Sequence, residues 1–156
     1  MLLAIYLNDH LAGATVGREL ARRAAANNRG SSHGSFLADL ADQIDADRAS
    51  LLGIMRALRV RINPIKVIVG WSAEKLERLK FNGRLLGYSP LSKIVELEAL
   101  SLGVHGKLAL WRTLEELDHV DLSSAPVPLA DLIARAEQQL AELESHRLQA
   151  VAQALS

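Results

Sequence analysis

SPLSKIVELEALSLGVHGKLALWRTLEEL, from Ser89 to Leu117, is the stretch on which the fold turns. Ile94, Leu97, Ser101, Val104, Leu108, Trp111 and Leu114 recur along it at spacings of three and four, the period of one helix face. Ser89 ahead of Pro90 is a start signal. A serine hydroxyl accepts from an orphan N–H of the first turn, and proline has no N–H to lose at the first helical position. The pattern predicts a helix over about residues 90–117.

The same period extends in both directions. Leu3, Leu7, His10, Ala14, Gly17, Ala21 and Ala24 mark a first helix over about residues 2–27, with small residues in its second half. Asn27-Asn28-Arg29-Gly30-Ser31-Ser32 reads as a stop and a loop. Leu37, Leu40, Ala41, Ile44, Leu51, Met55 and Leu58 mark a second helix over about residues 35–59. Asn63-Pro64 repeats the cap-then-proline signal, and Ile65, Ile68, Val69, Leu76 and Leu79 predict a third helix over about residues 64–82. After a loop at about residues 118–127, Leu129, Leu132, Ile133, Ala136, Leu140, Leu143 and Val151 predict a last helix reaching about residue 154. The expectation is an all-α, single-domain chain (residues 1–156), an up-down bundle of five long helices.

Composition agrees. Hydrophobic residues are 49% of the chain and aromatics 4%, a balance that favours helix over sheet. A chain of 156 residues buries about 70% of its unfolded surface without staples. No cysteine is present, which excludes disulfides, thiolate metal sites and a cysteine nucleophile, and fits a cytoplasmic setting. Eighteen basic and eighteen acidic residues give no net charge, which argues against a nucleic-acid-binding surface. The basic stretch from Arg56 to Arg84 reads as a solvated face with pairs such as Glu74 and Arg78, or as a contact for an anion. No 18-residue apolar run crosses a membrane, and no secretory signal is expected at the start. Ser31, Ser32 and His33 complete no triad and read as the loop before the second helix.

Leu7-Asn8-Asp9-His10-Leu11-Ala12-Gly13 resembles the first helix of bacterioferritin-like proteins, and Leu40 to Arg48 resembles a worn version of their second. The segment Gly83-Arg84-Leu85-Leu86-Gly87-Tyr88-Ser89-Pro90 resembles small bacterial bundle proteins of uncharacterised role. The ferritin-like resemblance implies a four-helix core of helices 1, 2, 4 and 5, with helix 3 as the long crossover. It also implies a di-metal centre built from one Glu on each of two helices and a Glu-x-x-His on each of the other two. Ala14 stands where the first Glu would align, and Asp42 and Asp45 stand where the second helix would carry its motif. The motif that is present, Glu116 to His119, falls at a helix end.

Polar residues that interrupt or border the apolar stripes are the candidate site. They are His10, Asp47, Arg48, Glu98, His105, Glu142, His146 and Arg147. One reading is a buried polar network of Asp47, Arg48, Glu98 and Arg147, because a buried charge must be paired. The alternative is an iron or manganese site drawn from Glu98, His105, Glu142, His146, His10 and Asp47. Two nearby arginines disfavour a dication, so no metal or other cofactor is the favoured expectation. The functional expectation is a non-catalytic bundle that works through self-association or a protein partner, the alternative a ferritin-like di-metal protein or oxidase.

Overall fold

The computed structural model describes residues 2–63, 88–118, 120–123 and 125–155. Among them stand four long helices and no strand: α1 Leu2–Asn27, α2 Ser32–Ala57, α3 Pro90–Glu115 and α4 Leu129–Leu155. This corrects the expected count of five. The four correspond to the first, second, fourth and fifth expected helices, and the helix expected over residues 64–82 lies outside the described residues.

Both ends of α2 and the start of α3 are set by identifiable hydrogen bonds. Ser31 caps α2, its hydroxyl accepting from the Gly34 N–H at 3.2 Å, so the helix starts three residues before the expected point. At its other end Arg59 takes a left-handed conformation with φ 53°. The Val60 N–H then donates to the Met55 carbonyl at 2.8 Å and the Arg59 N–H to the Arg56 carbonyl at 3.0 Å. That pair of bonds is a Schellman ending, built on arginine where glycine is usual. Ser89 caps α3 as expected, with a reciprocal bond from the Ser89 N–H to the Ser92 hydroxyl and Pro90 at the first position.

α1 packs on α2 and α3 packs on α4 as two tight hairpins. α1 also packs on α3, and α2 on α4, which closes a square. Tyr6 near the start of α1 donates to Thr113 near the end of α3, and Asn27 at the end of α1 donates to Glu96 near the start of α3. These two helices are therefore antiparallel. His33 meets His146, Gln43 meets Gln139 and Asp47 meets Arg135, so α2 and α4 are antiparallel as well. It follows that α2 and α3, across the diagonal, run the same way. Ala57 and Pro90 thus lie at opposite ends of the bundle, which the connection between them must join.

The core is leucine-rich, with Leu7, Leu11, Leu37, Leu40, Leu51, Leu97, Leu110, Leu114, Leu132 and Leu143 all buried around Trp111. Fully burying one such side chain contributes about 1.5–3 kcal/mol, so the fold rests on this stripe from each helix. No helix among the described residues is long and apolar enough to cross a membrane.

Two glycines predict opposite effects for the same substitution. A Cβ on Gly34 would stand 2.2 Å from the Asn28 carbonyl oxygen, a backbone atom that cannot step aside. Gly34→Ala is expected to cost about 1–3 kcal/mol in spite of alanine's better helix propensity. A Cβ on Gly17, in the middle of α1, meets nothing within 4 Å. Gly17→Ala is expected to stabilise by about 0.5–1 kcal/mol. Urea denaturation of the two variants checks both signs.

Candidate functional site: the polar seam between the second and fourth helices

Of the four neighbouring helix pairs, α2 and α4 approach each other least closely. Side chains bridge the gap, and most are polar. Along α2, at 1.5 Å per residue, His33, Gln43 and Asp47 rise in sequence over about 20 Å, each facing a partner on α4. At the far end Gly53 lets Pro126, in the α3–α4 loop, lie directly against α2, where a Cβ would stand 2.6 Å from the proline ring.

Asp47 is the centre of the seam, with its side chain 2% exposed. Lys107 of α3 reaches across the diagonal to its Oδ2 at 2.5 Å. Arg135 of α4 donates to Oδ1 at 2.7 Å. Gln139 of α4 accepts from Lys107 and donates to Gln43 at 2.8 Å. One carboxylate thus ties three helices together, and both its oxygens are held by cations. Burial pushes the Lys107 ammonium below its ordinary pKa and the neighbouring Arg135 charge adds to this, while Asp47 pulls the other way. Arg135 keeps contact with solvent, its side chain 32% exposed, which spares the cluster the full cost of a second desolvated cation.

Sequence reasoning placed Asp47 in the core but gave it the wrong partners. Arg48 points to α1 and donates to Thr15 at 3.2 Å. Arg147 lies along its own helix, bonded to Glu144 at 2.7 and 2.8 Å, with Glu98 at 3.8 Å. Of the expected network of Asp47, Arg48, Glu98 and Arg147 only the Arg147–Glu98 pair forms, and it lies at the rim, with Glu98 52% exposed, rather than around Asp47. The reason is helix phase. The buried face of α4 runs Leu132, Ala136, Gln139, Leu143 and Ala150, which turns Arg147 to the rim.

The alternative ligand set is likewise dispersed. His105 is exposed on α3, and His10 is half-buried on α1 with its ring edge-on to Tyr6 at 4.6 Å. Glu142 is half-buried and accepts from Gln138 at 2.8 Å. Burial holds the His10 imidazole below its ordinary pKa against the pull of Asp9. Among the described residues no three His, Asp or Glu side chains stand together in a way that could hold an ion. His119, with which Glu116 makes the literal Glu-x-x-His, lies outside the described residues.

At the upper end of the seam the structure brings together two histidines that sequence reasoning kept apart. His33 is 3% exposed, and its Nδ1 lies 2.8 Å from the Nδ1 of His146. Phe36 stacks on the His146 ring at 4.0 Å and 11°. Among the described residues no partner meets the buried His33 Nε2. Nearby, but on the α1–α3 side, Asn28 donates to Tyr88 at 2.5 Å and Tyr88 donates to Glu96 at 3.0 Å. Burial pushes the Tyr88 hydroxyl up to about 12, so it keeps its proton as the donor to Glu96, whose carboxyl burial also raises; the cluster fastens the start of α3 to the end of α1.

Comparison with protein-family models, with curated proteins and with solved structures finds no match for the chain. The seam is thus understood from its own geometry. Its donors and acceptors are turned on one another across the helices, an arrangement suited to fixing how the two hairpins dock.

Removing Asp47 leaves Lys107 and the inner part of Arg135 without their anion in an apolar setting. Asp47→Ala is expected to cost about 3–5 kcal/mol, the usual result of breaking a buried pair from one side. Arg147→Met, at the rim, is expected to leave the denaturation midpoint where it is. Equal effects from the two variants in urea titrations would contradict the assignment of Asp47 as the centre.

Proposed function

We propose that this chain is a non-catalytic helical bundle that acts in the cytoplasm by associating with itself or with a protein partner. The supporting observation is the set of large apolar side chains that the bundle leaves outside its core. Leu91 and Leu102 on α3 are 59% and 74% exposed, and Leu148 and Leu155 on α4 are 53% and 70% exposed. Leu91 and Leu102 are eleven residues apart, three helical turns, and so share one face. Gly103 and Gly106 beside Leu102 have open space where a Cβ would be, so a second surface can come close to the helix there. Burying one such leucine at an interface is worth about 1.5–3 kcal/mol before the cost of association.

The ferritin-like resemblance enters this proposal as a ligand set that has decayed. Ala14 offers no donor, Asp42 is exposed, and Asp45 is engaged by Arg18 at 3.1 Å. The buried polar groups around Asp47 are spent on each other, which favours a structural use of that chemistry over turnover.

Light scattering after size exclusion, from about 5 to 200 µM, tests self-association. A mass that rises with concentration is expected, and Leu102→Glu should lower the association constant at least tenfold while leaving the helical circular dichroism unchanged. A strictly monomeric wild type would remove self-association. Leu102→Glu behaving as wild type would remove the outer face of α3 as the contact.

A further inference from the structure

The histidine pair at the upper end of the seam is arranged so that it tolerates no added proton. In the neutral pair one Nδ1 must carry hydrogen and the other must accept it, since the two nitrogens stand 2.8 Å apart. The buried, unpartnered Nε2 of His33 selects the roles. A buried N–H without an acceptor is costlier than a bare lone pair, which makes His33 the Nδ1–H donor and His146 the acceptor. A proton added at the His146 Nδ1 aims two N–H groups at one another. A proton added at the His33 Nε2 buries a charged donor with nothing to receive it. Moving the shared proton so that His146 becomes the charged donor again leaves an Nε2–H on His33 without an acceptor.

The surroundings act mostly in the same direction. His33 is the second residue of α2, at the positive end of the helix dipole, which disfavours a cation. Lys93 of α3 adds positive potential at His33. Phe36 covers one face of the His146 ring. Glu142, one turn before His146 on α4, opposes these effects but does not accept from the buried Nε2 of His33, which has no partner among the described residues.

We propose that His33 and His146 form an acid-sensitive latch that holds the start of α2 against the last turns of α4. The weak direct packing of α2 on α4 gives the latch its leverage, because at this end the seam is held largely by the imidazole contact and the Phe36 stack. The Asp47 cluster, about 20 Å further along α2, keeps the lower part closed.

The direction of the pH effect follows from linkage. Burial lowers the pKa of both imidazoles from 6.5, so the folded state binds fewer protons than the open one below that pH. The latch is at full strength above pH about 6.5 and is lost as the pH falls through the folded-state values. Each proton taken up on opening raises the open population by up to about tenfold per pH unit.

Amide hydrogen exchange from pH 7.5 to 5.0, corrected for intrinsic rates, reads the opening, and NMR of the imidazole carbons reads the protonation. Protection is expected to fall in residues 33–40 and 143–150, while residues 50–55 of α2 keep theirs. The double variant His33→Gln, His146→Gln, whose amides can bond but not titrate, should lose this pH dependence. The proposal is overturned if both imidazoles titrate near 6.5 with protection unchanged. It is also overturned if the double variant opens with acid just as the wild type does. Should the double variant fail to fold, the wild-type titration still decides, because ring protonation must coincide with loss of protection in those two segments.

Discussion

A carboxylate buried in a leucine core is costly unless cations come to it, and around Asp47 the bundle is arranged so that they do. Lys107 arrives from α3 and Arg135 from α4, and together they fix the height at which the second hairpin docks on the first. Apolar packing alone would not do this. Leucine stripes repeat every turn and so discriminate less sharply between neighbouring registers than a buried carboxylate, which costs several kcal/mol if it loses its cations. The antiparallel square, the facing of Gln43 with Gln139, and the contact of His33 with His146 are all consistent with that one register.

Much of the fold can be foreseen from local chemistry. Ser89-Pro90 announces α3, and the stripe from Ile94 to Leu114 shows which side faces inward. Other boundaries need information that a stripe does not carry. Ser31 looks like loop until its hydroxyl is seen accepting from Gly34. Arg59 gives no warning of a helix end, because the stop depends on a left-handed backbone that arginine rarely adopts. The five-helix expectation includes the stripe over residues 64–82, which lies outside the described residues, and four helices stand among those described.

The site was half visible for a physical reason. Asp47 lies on the α2 stripe, so its burial follows from periodicity. Its partners lie beside the α3 and α4 stripes, where long side chains reach inward from the flank, and period-based reasoning sees only the Cα position. Gln139 is the signal in the sequence: it continues Leu132 and Ala136 at spacings of four and three, whereas a stripe drawn through Leu140 rotates α4 and turns Arg147 inward. The meeting of His33 with His146 spans 113 residues and depends on α2 beginning early, so no local pattern contains it.

The parallel course of α2 and α3 bears on how the molecule comes together. Within each hairpin the contacting residues are near in sequence, so α1 with α2 and α3 with α4 close over short stretches of chain, and such closures are fast. The bonds that join the hairpins are of another kind: Asp47 and Arg135 are 88 residues apart, and Gln43 and Gln139 are 96. Their formation must wait for two prebuilt halves to find each other, against the entropy of a long loop. Sequence separation alone thus favours closing the hydrophobic hairpins ahead of the charged seam, whose surfaces would lose their water last.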